Sequence, residues 1–187
     1  MIILGIDPGT NITGFGIIKY EKNNYNRVAS GIIKLPSSKP IPERLKIIYE
    51  ELVSLIKKYK PDEFAIETAF YGKNVQAAMK IGYARGVSIL AAVHNKVPTS
   101  EYSPREVKKA VVGKGAASKE QVNYMIKSLL IINQDSVKSD EADALAIALC
   151  HAFRLKSSGN HRTKKSGNYR MNWKQFTEVF PEKVINE

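Results

Sequence analysis

The chain alternates between short, almost wholly apolar runs and longer stretches whose apolar residues recur every three to four positions. Ile2, Ile3, Leu4 and Ile6 form the first such run, which closes on Asp7 and turns at Pro8-Gly9. A run this apolar predicts a strand buried on both faces, at the centre of a sheet. Residues 13–20 follow closely enough to pair with it as an antiparallel hairpin, in which Gly14 and Gly16 leave room for another backbone or a ligand. After a polar turn, residues 25–35 return as a third strand. Pro36-Ser37-Ser38-Lys39-Pro40 is a connector. Leu45, Ile48, Leu52, Leu55 and Ile56 then stand at helical spacing, which predicts an amphipathic helix over residues 41–59.

Phe64-Ala65-Ile66 is a second short apolar run, and it too closes on a carboxylate, Glu67. Asn74 is suited to cap a helix over about residues 75–95, rich in small residues (Ala77, Ala78, Gly82, Ala84, Gly86, Ala91, Ala92) that admit a close neighbour, in the core or across a symmetry axis. Residues 97–102 read as a last strand. Pro104 opens a short helix, and Ser118 caps another that runs to about residue 131. Ser139 is placed to cap a final helix whose first turn holds Asp140 and Glu141 and whose body, residues 142–153, is almost wholly apolar. From Lys156 the Ser, Gly, Asn and Lys content predicts a flexible tail, with a short amphipathic element around Trp173, Phe176 and Phe180. The pattern predicts an α/β domain over residues 1–155, with a basic tail over 156–187. Its sheet is mixed and five-stranded, three antiparallel strands continued by parallel ones, with helices on both faces.

Charge narrows the partners. The chain of 187 residues carries a formal net charge of +11 and has an isoelectric point near 9.6. Residues 151–187 hold eight Lys or Arg against three acids, so the tail is the more basic part per residue, although the globular part is cationic as well. A balance of this kind points to a polyanion, nucleic acid or an anionic membrane surface. No apolar run approaches the ~20 residues of a spanning helix, and the N-terminus lacks the basic start of a secretory signal. The lone cysteine, Cys150, sits in the apolar run 144–152 and reads as a buried small hydrophobe. A single cysteine forms no internal disulfide, which suits a reducing cytoplasm.

Four acids stand out against this background. Asp7 and Glu67 each end a very apolar run; Asp140 and Asp143, three apart, project from one side of the last helix. Glu141 is rotated away from that side and reads as a solvated first-turn acid. Taken one at a time, each has an ordinary explanation: Asp7 as the polar residue of its own turn, Glu67 as a lysine partner, the two aspartates as helix N-terminal acids. If the last helix packs across the ends of the first and fourth strands, the four converge. Converging carboxylates repel one another, and two divalent cations would neutralise them. Mg²⁺ and Mn²⁺ prefer such hard oxygen ligands, and a pair of ions can bind both the attacking and the leaving oxygen of a phosphodiester displacement. An anionic pocket on a cationic surface is the layout of a metal-dependent nuclease.

The motifs resemble those of the RuvC family of Holliday-junction resolvases. The likeness covers about residues 1–153: Gly5-Ile-Asp-Pro-Gly9 with Thr13-Gly14-Phe15-Gly16, Glu67 with Phe70 and Lys73-Asn74, Ala84-Arg85-Gly86-Val87, Tyr102 with Pro104, Val107-Lys108, Val111-Val112-Gly113, and 140–146. It implies an RNase H-like fold, a homodimer through the 75–95 helix, and paired nicks in two opposed strands of a four-way DNA junction, leaving 5′-phosphate and 3′-hydroxyl ends. It implies Mg²⁺, or Mn²⁺ in its place, on Asp7, Glu67, Asp140 and Asp143, with two ions per site. It further implies DNA contact by Lys108 and Lys119, base stacking by Phe70, and work alongside the branch-migration proteins RuvA and RuvB. Lys73, Asn74 and Arg85 lie in its motifs and are expected on the DNA face. Lys114 adds a charge to the loop before Lys119 and either reaches a phosphate or is solvated. Residues 156–187 match no part of the family pattern and either add DNA affinity or form a solvated tail.

Three rival readings stand beside this one. Gly-Ile-Asp-Pro-Gly-Thr also resembles the first phosphate loop of actin-like ATPases and sugar kinases, but those need a second such domain and a second Asp-Gly loop, which this chain lacks. A non-catalytic junction-binding protein fits poorly with four acids in place. A related RNase H-like nuclease acting on RNA or flapped DNA differs only in substrate.

Overall fold

The structure, a computed structural model, describes residues 1–22, 24–68, 75–132 and 138–161. Five strands, β1 (Ile2–Asp7), β2 (Ile12–Glu21), β3 (Asn24–Lys34), β4 (Glu63–Glu67) and β5 (Thr99–Tyr102), form one sheet in the order β3-β2-β1-β4-β5. The three N-terminal strands are antiparallel, and β4 and β5 continue the sheet in parallel from β1. The mixed sheet therefore has the strand senses the sequence predicts.

Alternation along the central strands sends their side chains into two separate cores. Ile3, Ile18 and Ala65 join a core with α3 (Pro104–Val112), α4 (Lys119–Leu129) and α5 (Ser139–His161). Leu4, Ile6, Ile17, Phe64 and Ile66 face the opposite way, onto α1 (Ile41–Tyr59) and α2 (Val75–His94). Period-two geometry then puts Asp7 on the α5 side, with Ile3 and Gly5, and Glu67 on the same side, with Ala65.

The approach of α5 to the sheet is set by glycines. A Cβ at Gly5 would stand 2.7 Å from the Ala148 nitrogen, and one at Gly16 2.7 Å from the Leu145 nitrogen; Gly14 lies as tightly under the Asp140 carbonyl. The visitor for which Gly14 and Gly16 leave room is thus a backbone, that of α5. Ala142, Ala144, Ala146, Ala148 and Ala152 are buried along the helix, so small residues on both sides let it lie flat. The far end of α5 is tied to β5 by a 2.7 Å hydrogen bond between the Tyr102 hydroxyl and Nδ1 of the buried His151.

Two features of α5 depart from the sequence reading. Ser139 lies within the helix and does not precede it: the Ala142 N–H donates to the Lys138 carbonyl, and the Lys138 N–H donates to Glu141 Oε2 at 3.3 Å. The helix also continues to His161, through Gly159 and five residues beyond the predicted start of a flexible tail. Met1–Leu155 form one compact unit. Cys150 is buried, and burial pushes its thiol up to about 12, consistent with an inert core residue. Among the described residues no helix is long and apolar enough to cross a membrane.

Candidate active site

The turn after β1 is held by a residue other than its aspartate. The buried Thr13 hydroxyl donates to the Gly9 carbonyl at 2.8 Å and accepts from the Gly9 N–H at 3.3 Å, which closes the Pro8-Gly9 loop. The ordinary explanation of Asp7 as the cap of its own turn is therefore not needed, and its carboxylate is left for other partners.

Those partners are mostly negative. Asp7 is raised from 3.8 to about 6, first by burial and then by the neighbouring charges of Asp143 and Asp140, with Lys119 acting in the opposite sense. Glu67 is raised from 4.5 to about 7 by burial, Asp7 and Asp143, against the pull of Lys119 and Lys108. A pocket beside them is lined by Glu67, Lys108, Lys119 and Asp143 over a floor of Val107, Val122 and Ala146. The structure thus brings Asp7 within electrostatic reach of Asp140 and Asp143, and Glu67 within reach of Asp7 and Asp143, at the ends of β1 and β4 and the start of α5.

Lys119 is the main counter-charge. It is the first residue of α4, behind the Ser118 cap, whose hydroxyl accepts from the Gln121 N–H while Gln121 reaches back to the Ser118 N–H. That capping box fixes the α4 start, and Lys119 Nζ lies 2.7 Å from Asp143 Oδ2. The hydrogen bond to Asp143 raises the Lys119 ammonium above its usual value, so it stays charged at neutral pH. Lys108 projects into the same pocket from α3, which starts at a second capping box between Ser103 and Glu106.

The donor set suits a hard divalent cation. As the side chains stand, no three His, Cys, Asp or Glu groups among the described residues close around a common point. Two ammoniums nevertheless face four carboxylates, and two of these acids are held well above their ordinary values by burial and by their negative neighbours. Oxygen ligands in this state would gain most from Mg²⁺ or Mn²⁺.

The remaining expected residues divide. Lys114 is exposed in the loop between α3 and α4, and it lines a neighbouring hollow with Lys108. Arg85 pairs with Glu101 and ties α2 to β5. Phe70, Lys73 and Asn74, and the tail element around Trp173, lie outside the described residues. Glu141 requires a correction. It is only 7% exposed, accepts a 2.5 Å hydrogen bond from the Ser30 hydroxyl, and lies 3.8 Å from the Arg27 guanidinium. The acid read as solvated is instead a latch between β3 and the first turn of α5, where Asp140 and Asp143 begin. Local spacing could not show this, because Ser30 is 111 residues away; the polar Arg27 and Ser30 in an otherwise apolar strand were the available signal.

Sheet order and site together define an α/β protein of the RNase H-like class. The family model for crossover junction endodeoxyribonuclease RuvC matches residues 3–151. A crossover junction endodeoxyribonuclease RuvC from Pelotomaculum thermopropionicum is 47% identical over 152 residues, 81% of this chain and 93% of that protein. The one from Salinibacter ruber is 41% identical over 184 residues, 98% of this chain and 99% of its own length, so the region beyond residue 156 has a counterpart after all. Thermus thermophilus RuvC in complex with Holliday junction substrate superposes with a TM-score of 0.80 at 32% identity, covering 84% of this chain and 96% of that one. The chain belongs to the RuvC family of crossover junction endodeoxyribonucleases.

Proposed function

We propose that the protein resolves four-way DNA junctions by metal-dependent nicks in two opposed strands, leaving 5′-phosphate and 3′-hydroxyl ends, in recombination and repair in the cytoplasm. The observation that carries this reading is that Glu67 and Asp143 share a pocket with Lys108 and Lys119, with Asp7 and Asp140 in electrostatic reach, in a cationic, RuvC-family chain. Asp7, Glu67, Asp140 and Asp143 would hold Mg²⁺, or Mn²⁺ in its place, with room in charge for two ions per site. When bound, such ions neutralise the phosphodiester and make water a competent nucleophile at neutral pH.

The chain's own residues supply the rest. The apolar floor of Val107, Val122 and Ala146 limits water around the reacting phosphate. Lys108 and Lys119 bring positive charge to its non-bridging oxygens. Lys119 remains an ammonium and serves as a fixed cation, unsuited to act as a base. It neutralises Asp143 in the free protein and is half exposed, so it can turn toward an arriving phosphate. Glu141 and Ser30 hold the α5 start in place, which keeps Asp140 and Asp143 aimed at Asp7.

Paired nicking needs two sites. Val75, Met79, Tyr83, Leu90 and Val93 are exposed along α2, and a Cβ at Gly82 or Gly86 would meet nothing within 4 Å. An apolar stripe with open small residues suits a homodimer through this helix. Ala84, Ser88, Ala91 and Ala92 are buried on its other face. The nuclease domain is assigned to residues 1–155, the tail 156–187 to added DNA affinity, and RuvA and RuvB to partnership on the strength of the family alone.

The test is cleavage of a synthetic mobile four-way junction, beside plain duplex and RNA/DNA hybrid, with Mg²⁺ and with EDTA. Junction-selective cutting that stops in EDTA is expected. Equal cutting of duplex, preference for the hybrid, or cutting that survives EDTA overturns the reading. Sizing at low concentration tests the dimer, and a monomer that still cuts both strands together refutes paired nicking.

A further inference from the structure

A second hollow opens beside the carboxylate pocket, lined by Pro104, Arg105, Lys108, Lys114, Gly115 and Ala116. It shares Pro104 and Lys108 with the first, so the two meet along the start of α3. Its charge is of one sign. Two nearby cations are already matched, Lys119 by Asp143 and Arg154 by Glu106. No carboxylate among the described residues forms an ion pair with Arg105, Lys108 or Lys114. Lys108 is drawn in part toward Glu67 in the first pocket, whereas Arg105 and Lys114 form no ion pair among the described residues, and like charges around one concavity repel each other until an anion enters.

Arg105 is seated in it. The Ser103 capping box fixes the first turn of α3, and Arg105 and Lys108, three apart, share a face of that helix. Across from them, a Cβ at Gly115 would stand 2.7 Å from Arg105 Cγ and 3.3 Å from its Nε. The side chain therefore lies directly on the bare backbone of the loop that also carries Lys114. A stem packed this way loses less freedom when its guanidinium takes up a ligand, whereas a lysine free in solvent must be ordered first.

We infer that this hollow binds a backbone phosphate of the strand being cut, one that neighbours the phosphate in the carboxylate pocket. Arg105 is the anchoring contact, Lys108 bridges the two pockets, and Lys114 closes over the phosphate from the loop. Pro104 and Ala116 offer an apolar surface to the sugar. The subsite holds the strand in register, so that the next phosphate falls between Lys108, Lys119 and the carboxylates. The inference rests on the junction-nuclease reading and adds to it a specific DNA contact, Arg105, and a reason for glycine at position 115.

The test is equilibrium binding of a fluorescent four-way junction to the full chain in EDTA, over a series of salt concentrations. The variants are Arg105→Gln, Arg105→Lys, Lys114→Gln, Gly115→Ala and, as a control on the opposite layer, Lys57→Gln. Loss of one phosphate contact lowers the slope of log affinity against log salt by about 1, irrespective of junction sequence. Arg105→Gln is expected to show that loss with several-fold weaker binding, and Arg105→Lys to restore the slope but only part of the affinity. Gly115→Ala, which displaces the arginine stem without removing a charge, is expected to weaken binding while its melting temperature holds. Lys57→Gln is expected to match the unaltered chain. An unchanged slope in both Arg105→Gln and Lys114→Gln, while the unaltered chain binds tightly, overturns the subsite and leaves the nuclease reading standing. Failure of the unaltered chain to bind junctions overturns both.

Discussion

Replacing Asp7 by asparagine separates a metal-site acid from a turn residue, because the two roles give opposite signs. Asp7 is raised from 3.8 to about 6, so between those values the folded chain holds a proton that the unfolded chain has released. Stability falls wherever the folded state binds more protons as pH rises. The metal-free protein should therefore lose stability from about pH 4 upward, and Glu67, raised from 4.5 to about 7, extends the loss toward neutrality. A shift of about 2 units corresponds to about 3 kcal/mol. Part of this is shared with Glu67, Asp140 and Asp143, and removing Asp7 also costs its attraction to Lys119, so a net gain of about 1–2 kcal/mol is expected for Asp7→Asn above pH 7. For a chain of this size that is a rise in melting temperature of about 2–8 °C. The assay is scanning calorimetry of both proteins in EDTA from pH 4 to pH 8. The difference should be near zero or negative at pH 4 and grow until it levels off above pH 7. Saturating Mg²⁺ should reverse the order, since a ligand at about 100 times its dissociation constant adds about 2.7 kcal/mol to the protein that binds it. A difference that stays constant with pH, or an asparagine variant less stable at neutral pH, would refute the reasoning and return Asp7 to its turn.

Three further outcomes follow from the packing. Gly16→Ala forces a Cβ to 2.7 Å from the Leu145 nitrogen and should destabilise the chain by about 2–3 kcal/mol, read by denaturant unfolding. Gly82→Ala meets nothing and should stabilise α2 by up to about 1 kcal/mol, yet raise the dimer dissociation constant in sedimentation if that face is the interface. Glu141→Ala strands the Ser30 hydroxyl and the Lys138 N–H, at a cost of about 1–3 kcal/mol, and should lower kcat more than junction affinity; Glu141→Gln, which keeps an acceptor, should recover most of both.

The residues around Asp7 show where one-dimensional reading succeeds. An apolar run that ends in a carboxylate already states that the charge closes a buried strand, and strand alternation decides which side it faces. Spacing of three on a helix likewise puts Asp140 and Asp143 on one side. These are local rules, set by backbone geometry within a few residues, and they carried the strands, the helices and four acids. What they leave open is which element comes to lie on which. Glu141 looked solvated because nothing near it in the chain shows that β3 would bring Ser30 and Arg27 over it. The pairing of Arg85 with Glu101 across α2 and β5 is likewise invisible to local spacing. The pairing of Lys119 with Asp143 and the seat of Arg105 on Gly115 are of the same kind. The sequence by itself determined the class of fold and the chemical character of the site. Only the tertiary structure decided which charges are paired within the protein and which are not, because that depends on contacts between segments whose separation no local periodicity encodes.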